Sequence, residues 1–332
     1  MNHENQDQEL PNELNSNRAA LRVARAIKPS GFERVTLREA RARPHLEYVL
    51  PGLLKKTVGV LVGAGAVGKS MLALQIGLAV AGGRPVAGGL WPASKKGKVT
   101  LIFGEDLAVI IQERLHWLMK AEGLSEEMQD EIEEEITILS GVGKDLRILQ
   151  KTQLGLLETL AFAELVQICS GQRLVILDPL AFLSDADEND NAAMAQLMQL
   201  LAECAILSSA TIIVLHHASK SGASGTTTGA SIARGASAIT NHARWQVNLT
   251  SPTADEIKTL GIHCELASGW IRLAVPKANY SKPQPDQWLC RVEGGALRLG
   301  NPGDNAVTGG TAHAEQLQQE RGSRRRIKRG EA

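Results

Sequence analysis

Cysteine is scarce in this 332-residue chain, and its four copies, Cys169, Cys204, Cys264 and Cys290, stand far apart. No pair has the close spacing of a metal site or a redox dithiol, so buried reduced thiols are expected. Aromatic residues are as thin, at 3% of the chain, which argues against a nucleic-acid surface built on rows of stacking rings. Net charge is lacking too, because 36 basic residues balance 36 acidic ones. A polyanion would have to be held by a local basic surface, since the protein as a whole supplies no attraction. No apolar run is long and charge-free enough to span a bilayer. The opening Met1-Asn-His-Glu-Asn-Gln-Asp-Gln8 has neither the basic start nor the apolar stretch of a secretory signal. A cytoplasmic protein without a membrane partner is expected.

What is present is glycine in one informative place. Residues 63–70 read Gly-Ala-Gly-Ala-Val-Gly-Lys-Ser, a complete Walker A loop. It follows the apolar run Val58-Gly-Val-Leu-Val62 and precedes the helix-like Met71-Leu-Ala-Leu-Gln-Ile-Gly-Leu78. Glycines let the backbone fold tightly, so that amide N–H groups point at phosphate oxygens while the helix adds its positive end. Gly63, Gly65, Val67, Gly68, Lys69, Ser70 and Met71 are the expected contacts of a nucleoside triphosphate. Lys69 reaches the terminal phosphates and Ser70 ligates Mg²⁺. A glycine-rich turn before an ordinary helix is the plainer alternative.

Composition divides the chain into three parts: a polar and basic extension over 1–44, a folded domain over 45–300, and a flexible basic tail over 301–332. Arg18, Arg22, Arg25 and Lys28 punctuate the extension, and Arg321, Arg324-Arg325-Arg326, Lys328 and Arg329 end the tail. Each reads either as a solvated segment or as an electrostatic contact with nucleic acid or, for the extension, a neighbouring subunit. Between them strands alternate with helices. Strands are expected at 58–62, 98–103, 136–139, 174–177 and 211–215. Helices are expected at 69–81, 107–121, 126–135, 153–168 and 192–207. Short β-branched runs between longer helical patterns indicate an α/β fold whose mostly parallel sheet is covered on both faces. Strand-like runs at 245–249, 270–275 and 287–292 would extend that sheet, as hairpins if antiparallel. The stretch Ser219–Ala233 is rich in Ser, Gly, Thr and Ala. Such a loop inside a domain is uncommon unless functional or disordered.

In an open α/β sheet the ligand sits at the carboxyl ends of the strands. Glu105-Asp106 follows one strand, Asp178 follows another after four apolar residues, and His216-His217 ends a third. Asp178 has the Walker B pattern and is the expected second Mg²⁺ ligand. Pro179 follows it, so no acidic residue is available there to activate water. Glu105 is the natural general base, orienting the water that attacks the terminal phosphate; otherwise it is an exposed turn residue. Adjacent strand residues point to opposite faces, so His216 and His217 cannot share one metal ion. One of them could contact the terminal phosphate and relay its loss to the following loop. Two partly buried histidines at a strand end would look the same. In that loop Lys220 and Arg234, with backbone amides and hydroxyls, suit sequence-independent tracking of single-stranded DNA.

With these parts in place, the chain resembles the RepA-type hexameric replicative helicases of broad-host-range plasmids, members of the RecA-like P-loop NTPase group. The likeness runs from about Tyr48 to about Gly294. It is carried by Gly68-Lys-Ser-Met-Leu-Ala-Leu-Gln75, Glu105-Asp106, Arg114-Leu-His116, Leu177-Asp178, Leu215-His-His-Ala-Ser-Lys220, Arg234-Gly235, Arg244-Trp-Gln246 and Lys277-Ala-Asn-Tyr280. The resemblance implies ATP and Mg²⁺ as cofactors, Lys69 and Ser70 on nucleotide and metal, Glu105 as base, Asp178 on Mg²⁺ and His217 as phosphate sensor. It also implies a homo-oligomeric, hexameric ring in which Arg244 is an arginine finger for the neighbour's ATP, with Arg114 near the same interface and nucleotide. A replication initiator or a primase is a further candidate partner. One departure stands out: where that family carries basic residues after the Walker B aspartate, this chain has the apolar Pro179-Leu-Ala-Phe-Leu183.

Overall fold

Valine, leucine and isoleucine fill the strand segments without a polar break, and such runs are stable only where both faces are covered. The computed structural model describes residues 35–219, 229–233, 237–262 and 264–302. It places these runs at the centre of a nine-stranded sheet. In chain order the elements are β1 (Tyr48–Leu50), β2 (Leu53–Leu54), β3 (Val58–Gly63), α1 (Lys69–Gly82), β4 (Val99–Phe103), α2 (Ala108–Ala121), α3 (Glu126–Glu133) and β5 (Ile136–Ser140). There follow β6 (Leu149–Thr152), β7 (Gly155–Glu158), α4 (Leu160–Cys169), β8 (Leu174–Asp178), α5 (Asn191–Ser208) and β9 (Thr211–His217). The last part holds α6 (Ser237–His242), β10 (Trp245–Thr250), α7 (Ala254–Thr259), β11 (Trp270–Ala278), β12 (Gln287–Arg291) and β13 (Leu297–Gly300).

The sheet order is β13-β12-β11-β10-β3-β9-β8-β4-β5. The six strands from β10 to β5 are parallel, and β11, β12 and β13 continue the sheet antiparallel. This is the mostly parallel α/β sheet with antiparallel C-terminal strands that the sequence indicates. Alternate residues of β3 feed opposite cores: Leu61 packs with α1, α2 and α3, whereas Val60 and Val62 pack with α4 and α5. Every residue of α1 from Met71 to Ala81 is buried, so this helix is apolar all round and lies inside the domain. Gly77 permits that depth, because a Cβ there would meet Leu101 Cδ1 at 2.8 Å.

One expected element differs. Residues 153–168 do not form a single helix; β6 and β7 pair as a hairpin, and α4 begins only at Leu160. Turn chemistry decides this. Thr152 Oγ1 accepts from the Leu154 amide at 3.1 Å and donates to the Gly155 carbonyl at 2.9 Å, with Gly155 at φ +108°. Thr159 then caps α4 by accepting from Ala161 N. Among the described residues, no helix is long and apolar enough to cross a membrane.

Candidate nucleotide site

The loop leaving β3 is shaped by two backbone demands. Ala66 and Gly68 stand at φ +59° and +108°, and the second favours glycine because other side chains rarely adopt it. Gly63 has no room for a side chain: a Cβ would lie 2.6 Å from Val67 Cγ1 and 2.9 Å from the Leu249 carbonyl oxygen. A Cβ on Gly65 would meet nothing within 4 Å, so this part of the loop faces open space. Val67 and Met71 are buried in the core, leaving only their backbone to a ligand. Lys69 is 7% exposed, and its Nζ donates to the carbonyls of Gly63 and Ala64, both at 2.9 Å. Burial lowers its pKa, while the charges of Asp178 and Glu105 oppose that shift. Those two carboxylates therefore share the lysine's field.

The neighbouring strand ends bring them there. Phe103 of β4 is in register with Asp178 of β8, and Gly104 N donates to the Asp178 carbonyl at 2.7 Å. Ser70 Oγ donates to Asp178 Oδ2 at 2.6 Å. Burial pushes the Asp178 carboxyl up to about 6, against the pull of the Ser70 hydroxyl and Lys69, with Asp106 and Glu105 adding to the rise. Glu105 is exposed on the turn after β4. Asp106, next to it, is gripped on two sides: both guanidinium amino groups of Arg114 reach its carboxylate, and Ser140 Oγ donates to its carbonyl at 2.8 Å. Arg114 thus holds Asp106 in its own chain. The apolar segment after Asp178 packs against the same turn, since a Cβ on Gly104 would strike the Phe182 ring at 2.7 Å.

The third strand end is β9, which lies directly beside β3. His216 is opposite Val62 and His217 opposite Gly63, and Ala218 N donates to the Gly63 carbonyl at 3.0 Å. His216 is buried and His217 half-buried. Arg244 is elsewhere. It precedes β10, its amide donates to the Val58 carbonyl at 3.0 Å, and it is exposed. Val58 opens β3 and the loop follows Gly63, so Arg244 stands at the other end of a six-residue strand, roughly 16 Å away along the sheet. Lys277 lies near it; burial first and the Arg244 charge second lower its ammonium pKa. Lys220 and Arg234 lie outside the described residues.

Residues 27–223 match the family model AAA_25, described as an AAA domain. The match takes in more than half of the chain, and the loop, Glu105, Asp178 and His217 all fall within it. The chain belongs to this family. Its fold is that of a RecA-like P-loop ATPase, which it shares with a solved structure whose title presents it as an ATPase domain. That likeness has 14% identity and a TM-score of 0.52, covering 80% of this chain and 99% of that one. A structure titled "Crystal structure of the RadB recombinase" has 15% identity and a TM-score of 0.47, covering 74% of this chain and 90% of that one.

A nucleotide with Mg²⁺ fits the residues an AAA-family loop presents here. Ser70 hydroxyl and Asp178 carboxylate form a hard oxygen pair 2.6 Å apart, beside open space at Gly65. Among the described residues no three His, Cys, Asp or Glu side chains gather as a metal cage, and Mg²⁺ in such enzymes is held by one or two protein oxygens plus phosphates. The Asp178 carboxyl, driven toward its neutral form by burial, is the group that an arriving cation would recharge. Sequence reasoning did not find the grip on Asp106 or Arg291, which donates to the Ala66 carbonyl at 2.8 Å across 225 residues of chain. No local motif signals a contact of that separation.

Proposed function

We propose that this chain is an ATP-driven DNA helicase of the plasmid RepA type. In this reading a domain of residues 45–300, flanked by the extension 1–44 and the tail 301–332, assembles into a hexameric ring. ATP is hydrolysed at seams between subunits and drives movement on single-stranded DNA. The observation that carries the reading is the separation of Arg244 from its own loop by the length of β3. A cation at the far end of the strand cannot serve its own terminal phosphate, whereas a head-to-tail neighbour would bring it to the next site.

Each residue then has a part to play. Loop amides and Lys69 cradle the phosphates, and Ser70 and Asp178 hold Mg²⁺, which when bound neutralises charge between the terminal phosphates. Glu105, exposed on its turn, orients and deprotonates water. His217, in register with Gly63, senses loss of the phosphate and passes it into the segment beginning at Ser219, where Lys220 and Arg234 track the DNA backbone. Arg244 from the neighbour stabilises the transition state. Replication initiator and primase remain candidate partners of the two termini.

A second reading is a RecA-like ATPase that regulates or loads a replication complex without unwinding. It is favoured by one feature. The segment after Asp178 is apolar, and the next residues carry Asp185, Asp187, Glu188 and Asp190, a charge that repels a DNA backbone. Unwinding of forked DNA with ATP separates the two. Strand displacement by the wild type, lost in Lys69→Ala and Arg244→Ala, supports the helicase; DNA-stimulated hydrolysis without displacement supports the second reading.

A further inference from the structure

We infer that Arg291 is a nucleotide-binding residue, a cation that acts within its own chain and pairs with a phosphate of a bound nucleoside di- or triphosphate. The inference rests on the nucleotide-binding reading above and adds to it a residue outside the Walker loop and outside the family match.

Arg291 ends β12 and turns back over the phosphate loop. Its Nη2 donates to the Ala66 carbonyl at 2.8 Å, and a Cβ on Gly68 would lie 3.5 Å from its Nη1. The guanidinium is therefore against the turn that leads into α1, the end of the helix that favours negative charge. Its surroundings are apolar: the same hypothetical Cβ would also touch Leu297 Cδ1 at 3.4 Å and Ile271 Cδ1 at 3.5 Å. Other arginines that leave solvent in this fold take a carboxylate with them. Arg173 has Glu47, Arg114 has Asp106, and Arg272 has Glu256 and Asp286. Arg291 has none among the described residues, and burial alone accounts for the lowering of its pKa. A half-buried guanidinium with five donors, one of them used, lacks a counter-anion. A phosphate in the cradle beside it supplies one. Because Gly68 and Ala66 lie toward the α1 end of the loop, ADP should engage Arg291 as well as ATP does, and adenosine should not.

The test is calorimetric titration of the full chain with Mg·ADP and with adenosine, at several salt concentrations. Arg291→Met keeps the apolar stem and removes the charge; Arg291→Lys keeps the charge. For Arg291→Met the expected result is ADP binding weaker by about ten- to a hundredfold, the range of a charge-assisted hydrogen bond. Its affinity should also fall less steeply with salt than that of the wild type. Arg291→Lys should retain most of the affinity, and adenosine binding should be unchanged throughout. Arg291→Gln gives the same reading should the methionine variant fail to fold. The inference is overturned if the neutral variants bind ADP within about twofold of wild type. It is equally overturned if they bind more weakly with an unchanged salt slope, which would make Arg291 only a brace for the loop. Absence of ADP binding by the wild type overturns the nucleotide reading itself, and this one with it.

Discussion

Asp178 should weaken the empty protein that it serves when loaded. Its carboxyl is pushed from an ordinary 3.8 up to about 6, chiefly by burial. The shift is near two units, and at about 1.36 kcal/mol per unit the ionised form costs the nucleotide-free fold on the order of 3 kcal/mol. The direction with pH follows from which state ionises first. Below pH 3.8 folded and unfolded chains are both protonated and Asp178 costs nothing. Between 3.8 and about 6 the unfolded chain ionises ahead of the folded one, so stability falls as pH rises; above about 6 the full penalty applies. Asp178→Asn removes the titration, and its carbonyl oxygen can still accept the Ser70 hydroxyl that now lies 2.6 Å from Oδ2. Without nucleotide or Mg²⁺, the variant should gain on wild type as pH rises from about 4 to about 7.5, by about 1–3 kcal/mol once solvent screening is allowed for. Urea unfolding at the two pH values reads this out. Adding Mg·ADP should reverse the order, because only wild type can hold the metal with a carboxylate. A stability gap that stays constant with pH, or that favours wild type at the higher pH, would refute the reasoning.

Other consequences are more compact. Glu47 is held down to about 2, chiefly by its bond to the Arg173 guanidinium, and Arg173 is 8% exposed. Stability from this pair is present above the ordinary carboxylate range and is lost as pH falls toward about 2. Glu47→Ala leaves the buried cation alone and should cost about 3 kcal/mol in urea unfolding near neutral pH; an unchanged midpoint would contradict this. Glu105→Gln should bind Mg·ATP with near wild-type affinity in a direct titration yet hydrolyse it at least about a hundredfold more slowly. Retained turnover would remove Glu105 as base. Gly104→Ala forces a methyl to within 2.7 Å of the Phe182 ring, and should cost about 1–3 kcal/mol of stability by overpacking. The pairing of Gly104→Ala with Phe182→Ala should recover part of that loss.

What the sequence disclosed follows from how local each signal is. The Walker loop, its strand and its helix lie within a single continuous segment, and an apolar run followed by glycines and a lysine reads directly. Asp178 and His217 were legible as strand ends because an apolar run leads into each. Residues 153–158 misled: Leu154, Leu156 and Leu157 mimic a helical face, whereas Thr152 and Gly155 carry the turn that makes a hairpin. The grip of Arg114 on Asp106 spans eight residues and depends on how α2 leaves β4. Arg291 meets Ala66 only because three antiparallel strands fold back over the loop. Contacts of that kind are products of topology, and no periodicity encodes them.

The central claim is that each site is completed by Arg244 from a neighbouring copy, and mixing two inactive variants tests it most directly. Lys69→Ala lacks a working loop but keeps its arginine; Arg244→Ala keeps the loop and lacks the arginine. Each alone should show almost no ATP hydrolysis. In an equal mixture allowed to reassemble, an intact loop meets an intact arginine at about one seam in four. The account therefore predicts that steady-state hydrolysis returns toward roughly a quarter of the wild-type rate per chain. A mixture as inactive as its components, or Arg244→Ala active by itself, would contradict it.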